Sequence, residues 1–239
     1  MIKKKVCLIL GGSGLIGNEV SKFFLKKDYF SIILDIKKPK KNTSSLFVKT
    51  DFTNEKKLNQ SLKKIRRYKI CTIINAVRIN KNISSLNQEL NYFDEIASYA
   101  KINLIVFINL YNLIKKNKTE FINISSTNSI SISQQSIFYH VSKVASNQLM
   151  KSLAVKYGKY NLRFNNISLG IVDNNKKSDN RIFKKALRKA LPLQKKVSLQ
   201  DIANLAYYLS ENNNTITGQD IILDSGMLLK DQFSILIDK

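Results

Sequence analysis

Tyr139 and Lys143 are four residues apart in the segment Tyr-His-Val-Ser-Lys. On a helix, residues with this spacing lie on one face, so a phenol and an ammonium group would be neighbours. A free tyrosine has a pKa of about 10, which is too high for an efficient base at neutral pH. A nearby cation favours the phenolate and lowers that pKa. The pair therefore has the chemistry of an acid–base group that exchanges a proton with a carbonyl or alcohol oxygen.

The segment that ends at Ser126 supplies a second group for this chemistry. Residues 121–126 (FINISS) read as a buried strand that ends in two serines. At the carboxyl end of that strand, the Ser126 hydroxyl could donate a hydrogen bond to the reacting oxygen. Without such a partner, the tyrosine and lysine are better explained as surface residues of an ordinary helix, because the motif is short. We interpret His140, the only histidine, as incidental, because adjacent helix positions point in different directions.

A glycine-rich turn at residues 11–17 (GGSGLIG) follows an apolar strand and opens a helix. Such a turn lets the backbone approach a pyrophosphate, which the N–H groups and partial positive charge of the helix N-terminus attract. In this context we predict a dinucleotide site rather than a tight turn without a ligand. The expected contacts come from Gly11, Ser13, Gly14, Leu15, Ile16 and Gly17.

Asp35 ends the second predicted strand, 18 residues after Gly17. A carboxylate at this place accepts hydrogen bonds from both ribose hydroxyls and repels a 2′-phosphate, so it favours NAD over NADP. Lys37, Lys38 and Lys40 follow closely and could pair with a phosphate, which leaves NADP as the less favoured cofactor.

Strand and helix patterns alternate along all 239 residues. Such alternation predicts one α/β domain, residues 1–239, with a Rossmann-type, doubly wound parallel sheet and helices on both faces. Residues 171–200 are the least regular stretch. The predicted strands are Val6–Leu10, Phe30–Leu34, Leu46–Val48, Cys71–Ile74, Phe121–Ile124, Leu162–Ile167 and Asp220–Leu223. The predicted helices are Leu15–Leu25, Asn54–Arg67, Leu90–Lys116, Phe138–Tyr157 and Asp201–Leu209.

The ordered set of motifs resembles the short-chain dehydrogenase/reductase family over almost the whole chain. Each motif is short, but the order of the set is specific. The motifs that carry the resemblance are the glycine turn, Asp35, Asn75-Ala76, Ser126, Tyr139-x-x-x-Lys143, Asn165-x-Ile167, residues 216–220 (ITGQD) and residues 224–226 (DSG).

This resemblance implies a role for each matching residue. Ser126 would polarise the substrate oxygen, Tyr139 would be the acid–base, and Lys143 would also bind the nicotinamide ribose. Further cofactor contacts would come from Asp51, at the adenine, with Phe52 beside it. The remaining cofactor contacts would be Asn75, Ala76 and Val77, which resemble the segment lining the cofactor, and Val172, near the carboxamide.

Several positions depart from the family pattern. Leu10 replaces the usual threonine, Ile74 and Val77 alter the Asn-Asn-Ala-Gly segment, and Leu169 replaces a proline, which we expect to loosen the loop beside the nicotinamide. The family also has an asparagine on the long helix that completes a proton relay. Asn103 has a suitable local sequence but is over one helical turn too close to Ser126, and ungapped spacing places Ser98 there, so the relay asparagine stays unassigned.

The resemblance implies an NAD(H)-dependent oxidoreductase that interconverts a carbonyl and a secondary alcohol. Residues 75–81 and 170–174 are similar to bacterial members of surface-polysaccharide and flagellin-sugar biosynthesis, which suggests a sugar or a nucleotide-linked sugar as substrate. A 3-oxoacyl-(acyl-carrier-protein) reductase is the alternative within the same chemistry. A non-catalytic NAD(H)-binding sensor or scaffold is the alternative from another class.

The net charge of +23, from 40 basic and 17 acidic residues, invites a nucleic-acid hypothesis. The basic residues are mostly lysines spread along the whole chain, so we interpret the charge as a solvated surface and expect no nucleic-acid partner. Two cysteines in apolar segments match no metal site. No signal peptide or membrane-spanning stretch is evident, which predicts a cytoplasmic protein without a membrane partner. Apolar residues on several faces of the helix from Leu90, at 141–153 and at 233–237 predict a homodimer or homotetramer.

Overall fold

The computed structural model describes residues 4–40, 43–78, 98–132, 137–174, 181–211 and 215–230, with side chains from 185 onward in the helix that begins at 181. Seven parallel strands form one sheet in the order β3-β2-β1-β4-β5-β6-β7. They are β1 (Val6–Leu10), β2 (Phe30–Asp35), β3 (Leu46–Lys49), β4 (Ile70–Asn75), β5 (Glu120–Ser126), β6 (Arg163–Leu169) and β7 (Asp220–Leu223). The predicted fold class is confirmed, and every predicted strand is present within two residues of its expected ends.

Six described helices connect these strands. They are α1 (Leu15–Lys26), α2 (Glu55–Ile65), α3 (Ser98–Ile114), α4 (Ile137–Tyr157), α5 (Arg181–Ala190) and α6 (Leu199–Glu211). Asn54, predicted as the first residue of α2, is its N-cap instead, and its side chain accepts a hydrogen bond from the Lys57 amide at 3.0 Å. None of the described helices is both long enough and apolar enough to cross a membrane.

Two predictions about the helices need correction. The helix expected at Leu90–Lys116 is described from Ser98 and ends at Ile114, and residues 90–97 lie outside the described residues. The stretch 171–200, expected to be irregular, contains α5. Its lysine-rich composition concealed a helical pattern that was available in the sequence, since Ile182, Ala186 and Ala190 recur at intervals of four.

Both faces of the sheet are covered, which explains why its strands are continuous apolar runs. On β1, Leu8 belongs to the core on the side of α2, α3 and α4, whereas Cys7 and Ile9 belong to the core on the side of α1 and α6. The strand order reverses between β1 and β4, and ligands of such sheets bind outside the carboxyl ends of the strands at this switch point.

Candidate active site

The strand register brings most of the predicted site to one edge of the sheet. Leu10 pairs with Asn75 across β1 and β4, and Ser126 pairs with Leu169 across β5 and β6. The glycine turn therefore leaves the sheet beside the segment that begins at Asn75. The predicted cofactor contacts and Ser126 therefore lie at the carboxyl ends of the strands, although they are far apart in sequence.

The glycines of the turn serve different purposes. Gly11 has a φ of +72°, and a Cβ there would lie 2.8 Å from the Ala76 oxygen; a Cβ on Gly17 would lie 2.4 Å from the Gly11 oxygen. These two glycines are required by the packing of the chain itself. A Cβ on Gly14 meets only the Gly11 oxygen, at 3.3 Å, so glycine at this position keeps the surface of the turn bare.

The start of α1 has the properties of a phosphate site. Gly14 is the N-cap and makes no side-chain capping bond, Leu15 is about half exposed, and Ile16 is half-buried. The first-turn amides of this helix are therefore open to an external acceptor, and the helix contributes a partial positive charge. A dinucleotide pyrophosphate fits this bare, uncapped N-terminus.

Asp35 lies directly beside the turn. Its Oδ2 accepts a hydrogen bond from the Ser13 amide at 2.9 Å, and its Oδ1 accepts one from the Lys37 amide at 3.2 Å. The Ser13 hydroxyl donates to the Lys37 carbonyl, which closes the loop around the carboxylate. Lys37 and Lys38 are exposed. The carboxylate is thus fixed at the carboxyl end of β2, next to the glycine turn.

A further predicted cofactor segment, which contains Asp51 and Phe52, lies next to this carboxylate. The Thr50 amide donates to the Asp35 carbonyl at 2.9 Å, so Asp51 and the half-buried Phe52 follow next to it. Asp51 accepts hydrogen bonds from the hydroxyl and the amide of Thr53, which lower the pKa of the Asp51 carboxyl.

The segment after β4 is fixed by its own asparagine. Asn75 Oδ1 accepts a hydrogen bond from the Val77 amide at 3.0 Å, and the Ala76 amide donates to the Leu10 carbonyl at 2.9 Å. Val77, which departs from the family glycine, is buried. The segment therefore keeps its place against the turn despite this departure.

Lys143 is buried between α3 and α4. Only 5% of it is exposed, and Nζ donates to the Ile124 carbonyl at 3.4 Å. The ammonium lies 5.7 Å from the centre of the half-buried Tyr139 ring, so the predicted neighbourhood of these groups is present. Burial, and then the charge of the exposed Arg78, lower the pKa of Lys143 to about 7.

Ser126 ends β5 and begins a short 3₁₀ turn. Its half-buried Oγ accepts a hydrogen bond from the Asn128 amide at 3.2 Å. Nδ1 of His140 lies 3.0 Å from the Asn128 carbonyl oxygen. His140, expected to be incidental, thus connects the first turn of α4 to the segment after Ser126, and so links the elements that carry Ser126 and Tyr139.

The segment that carries Val172 makes backbone contacts with two other parts of the chain. Val172 bridges to Val197, and the Gly170 amide donates to the Leu223 carbonyl at 3.0 Å. A Cβ on Gly170 would lie 2.8 Å from the Cα of Asp224, so this glycine allows β6 to end against β7. The loosening expected from Leu169 stays a prediction, and residues 175–180 of the loop lie outside the described residues.

A row of buried amides across the sheet was missed by the sequence analysis, which had identified only Asn75 among its members. Asn75, Asn123 and Asn166 are consecutive register partners across β4, β5 and β6, and the half-buried Asp220 carboxylate continues the register on β7. Asn103 of α3 joins the row: its Oδ1 accepts from Asn75 at 2.7 Å, and its Nδ2 is 3.1 Å from Asn123 Oδ1. Asn123 Nδ2 in turn donates to Asn166 at 2.9 Å. The sequence signal for this row is that its asparagines occupy corresponding positions in successive strands.

Asn103 is fully buried, and its Nδ2 also donates to the Ser146 hydroxyl at 3.0 Å. Ser146 is one turn beyond Lys143 on α4. Of the two positions left open for the relay asparagine, Asn103 therefore belongs to the row of buried amides, whereas Ser98 is the first residue of α3.

The chain is similar to known proteins over most of its length. The family model described as "Enoyl-(Acyl carrier protein) reductase" matches residues 16–228. The chain is 26% identical to carbonyl reductase family member 4 of Xenopus laevis, over 94% of this chain and 98% of the relative. It is 22% identical to an NAD-dependent glycerol dehydrogenase of Listeria innocua, over 96% of both chains.

The fold also matches solved structures. A short-chain dehydrogenase of Leptospira borgpetersenii, solved with bound NAD+, superposes with a TM-score of 0.80 at 22% identity, over 94% of this chain and 93% of that one. The family match spans most of the chain and includes α1 from Ile16 onward and the segment of Ser126, Tyr139 and Lys143. The protein therefore belongs to the short-chain dehydrogenase/reductase family and is a dehydrogenase or reductase.

Proposed function

We propose that this enzyme uses NAD(H) to interconvert a carbonyl and a secondary alcohol. The observation that carries the proposal is that the buried Lys143 ammonium lies beside the Tyr139 ring. Ser126 is at the carboxyl end of β5, where we expect the substrate to bind. A nicotinamide cofactor bound at this edge supplies or accepts the hydride.

The residues of the chain then have distinct roles. Tyr139 gives its phenolic proton to the substrate oxygen during reduction and removes that proton during oxidation. Lys143, when cationic, favours the phenolate and donates to the ribose hydroxyls. Ser126 donates a hydrogen bond to the reacting oxygen, where negative charge develops during hydride transfer.

The cofactor would be held by the residues of the glycine turn and its neighbours. The amides at the start of α1 bind the pyrophosphate, and Asp35 accepts hydrogen bonds from the adenosine ribose. Support for NAD comes from the fixed carboxylate of Asp35 and from the relatives, of which one is named NAD-dependent and another was solved with NAD+.

We further propose an anionic substrate, for which a nucleotide-linked sugar is our first choice. Lys185, Arg188 and Lys195 are exposed on the segment that leaves β6 toward β7, and the exposed Arg78 follows β4. Both segments leave the carboxyl ends of their strands, and positive charge there attracts phosphate groups. The same charge suits an acidic acyl carrier protein, so a 3-oxoacyl thioester is the second candidate.

A comparison of the two substrate classes tests this choice. Turnover of a nucleotide-linked sugar with NAD+ supports the first candidate, and strict preference for acyl-carrier-protein thioesters would replace it by the second. The variant Tyr139→Phe separates an enzyme from a non-catalytic NAD(H)-binding protein. If the protein is an enzyme, this variant loses turnover and still binds NADH.

We also propose that the protein acts as a cytoplasmic homodimer or homotetramer without a nucleic-acid or membrane partner. Support for the assembly comes from exposed apolar side chains on neighbouring helices, namely Leu104 and Ile108 on α3 and Val141 and Val144 on α4. Such faces are commonly covered by a second copy of the same chain. The apolar residues 233–237 lie outside the described residues. Sedimentation as a monomer would refute the assembly.

A further inference from the structure

Tyr99 is an aromatic neighbour of Lys143 that the motifs do not reveal. It lies in the first turn of α3, and only 1% of it is exposed. The Lys143 Nζ is 4.0 Å from the centre of the Tyr99 ring, compared with 5.7 Å for the Tyr139 ring. The ammonium is therefore closer to a ring on the neighbouring helix than to the tyrosine of its own motif.

The contact belongs to a two-level junction between α3 and α4. Asn103 lies four residues after Tyr99 on α3, and Ser146 lies three residues after Lys143 on α4, so each pair shares a helix face. The Asn103 amide donates to the Ser146 hydroxyl at 3.0 Å. Asn103 also accepts a hydrogen bond from Asn75 on β4. This bond fixes the position of α3 relative to the sheet, and with it the position of Tyr99.

A buried ammonium group needs compensation for the water that it loses. The groups known to act on Nζ are the Ile124 carbonyl from β5, the Tyr99 ring from α3, the Tyr139 ring from α4 itself, and the positive charge of Arg78 after β4. In the described part of the chain, no carboxylate lies within ion-pair distance of Nζ. The negative face of an aromatic ring attracts a cation, most strongly where water is excluded.

We infer that Tyr99 is a positioning residue for Lys143: its buried ring receives the ammonium group and holds it, as a cation, between α3 and α4. The inference deepens the proposed function and rests on it. The two proposed roles of Lys143, which are to donate to the ribose hydroxyls and to favour the Tyr139 phenolate, both need its positive charge. Tyr99 itself needs no contact with cofactor or substrate.

Labelling of Lys143 measures its protonation without any turnover. The cofactor-free protein is treated with trace acetic anhydride between pH 5 and pH 11, and mass spectrometry gives the acetylation rate of the Lys143 peptide. In Tyr99→Phe, which keeps a ring, the midpoint stays at the wild-type pH. In Tyr99→Leu it falls by about one pH unit or more, because the cation loses its aromatic partner.

Two further variants separate the effect of the ring electrons on the Lys143 midpoint from the effect of packing. A trifluorinated phenylalanine at position 99 keeps the shape of the ring but weakens its negative face, so it lowers the midpoint as Tyr99→Leu does, even if Tyr99→Leu fails to fold. Tyr111→Leu is the matched control: Tyr111 is on the same helix, and its ring faces Lys115 at 5.1 Å, so it leaves the Lys143 midpoint unchanged. Equal midpoints in wild type and the fluorinated variant would overturn the inference.

NADH titrations over the same pH range test the consequence. The pH at which NADH affinity declines should fall in the fluorinated variant and remain unchanged in Tyr99→Phe. Unmoved Lys143 midpoints with normal NADH binding would reject the role of Tyr99 and leave the proposed function intact. Shifted midpoints in a protein that binds no NADH would support the role of Tyr99 and reject the proposed function.

Discussion

The Ser13 amide donates a hydrogen bond to Asp35 Oδ2 at 2.9 Å, so the carboxylate at the end of β2 is attached to the glycine turn after β1. This bond fixes the carboxylate before any cofactor binds. A preorganised acceptor loses little entropy when a ribose hydroxyl reaches it, and the same fixed charge repels a 2′-phosphate.

Replacement of Asp35 should therefore change the cofactor preference. In Asp35→Ser, the Kd for NADH should rise about tenfold or more, because a hydrogen bond to a charged group is lost. The Kd for NADPH should fall, since Lys37 and Lys38 remain nearby. Fluorescence titration gives both constants. Asp28→Ser, at an exposed turn after α1, is the control. An unchanged ratio of the two constants would contradict the role of Asp35.

The glycine turn offers a test of packing. Gly17→Ala should lower the free energy of unfolding by about 1–3 kcal/mol, because its Cβ would lie 2.4 Å from the Gly11 oxygen. Gly158→Ala, where a Cβ meets no atom within 4 Å, should leave stability unchanged or slightly raised. Urea unfolding measures both. Equal stabilities of the two variants would show that the turn relaxes without cost.

Lys143 should make stability depend on pH in a defined direction. The folded chain holds this proton up to a pKa of about 7, whereas the unfolded chain holds it up to about 10.4. Between these values the unfolded state binds more protons, so the free energy of unfolding rises with pH through this window. Below pH 7 the buried Lys143 is a cation, and its burial lowers the free energy of unfolding by the full amount.

Lys143→Met removes that cost. At pH 6 it should raise the free energy of unfolding by roughly 1–3 kcal/mol while it abolishes turnover. The difference from wild type should shrink as the pH approaches 10. Lys151→Met, at an exposed position on α4, serves as the control. A difference between Lys143→Met and wild type that is constant from pH 6 to pH 10 would contradict the lowered pKa.

The amide row should make α3 sensitive to Asn103. Asn103→Leu leaves Asn75, Asn123 and Ser146 without their buried partner and should lower the free energy of unfolding by about 3 kcal/mol. Asn112→Leu, at an exposed position on the same helix, should change it by less than about 0.5 kcal/mol. Similar losses in the two variants would mean that the row contributes no specific stability.

Much of this architecture could be predicted from local sequence signals. Parallel strands buried on both faces are apolar runs, and the glycine turn has a local pattern, so Val6–Leu10 and Asp220–Leu223 were predicted with their observed ends. The amide row could not be found by local patterns, because its members meet only through strand register. Tyr99 lies 44 residues from Lys143 in the chain, and no motif spacing connects them.

Titration with NADH and NADPH, followed by nicotinamide fluorescence, tests the central claim most directly, and the chain contains no tryptophan that would interfere. The glycine turn and Asp35 together predict tight NADH binding and clearly weaker NADPH binding. Failure to bind either cofactor, in a folded protein, would contradict the proposal of an NAD(H)-dependent oxidoreductase.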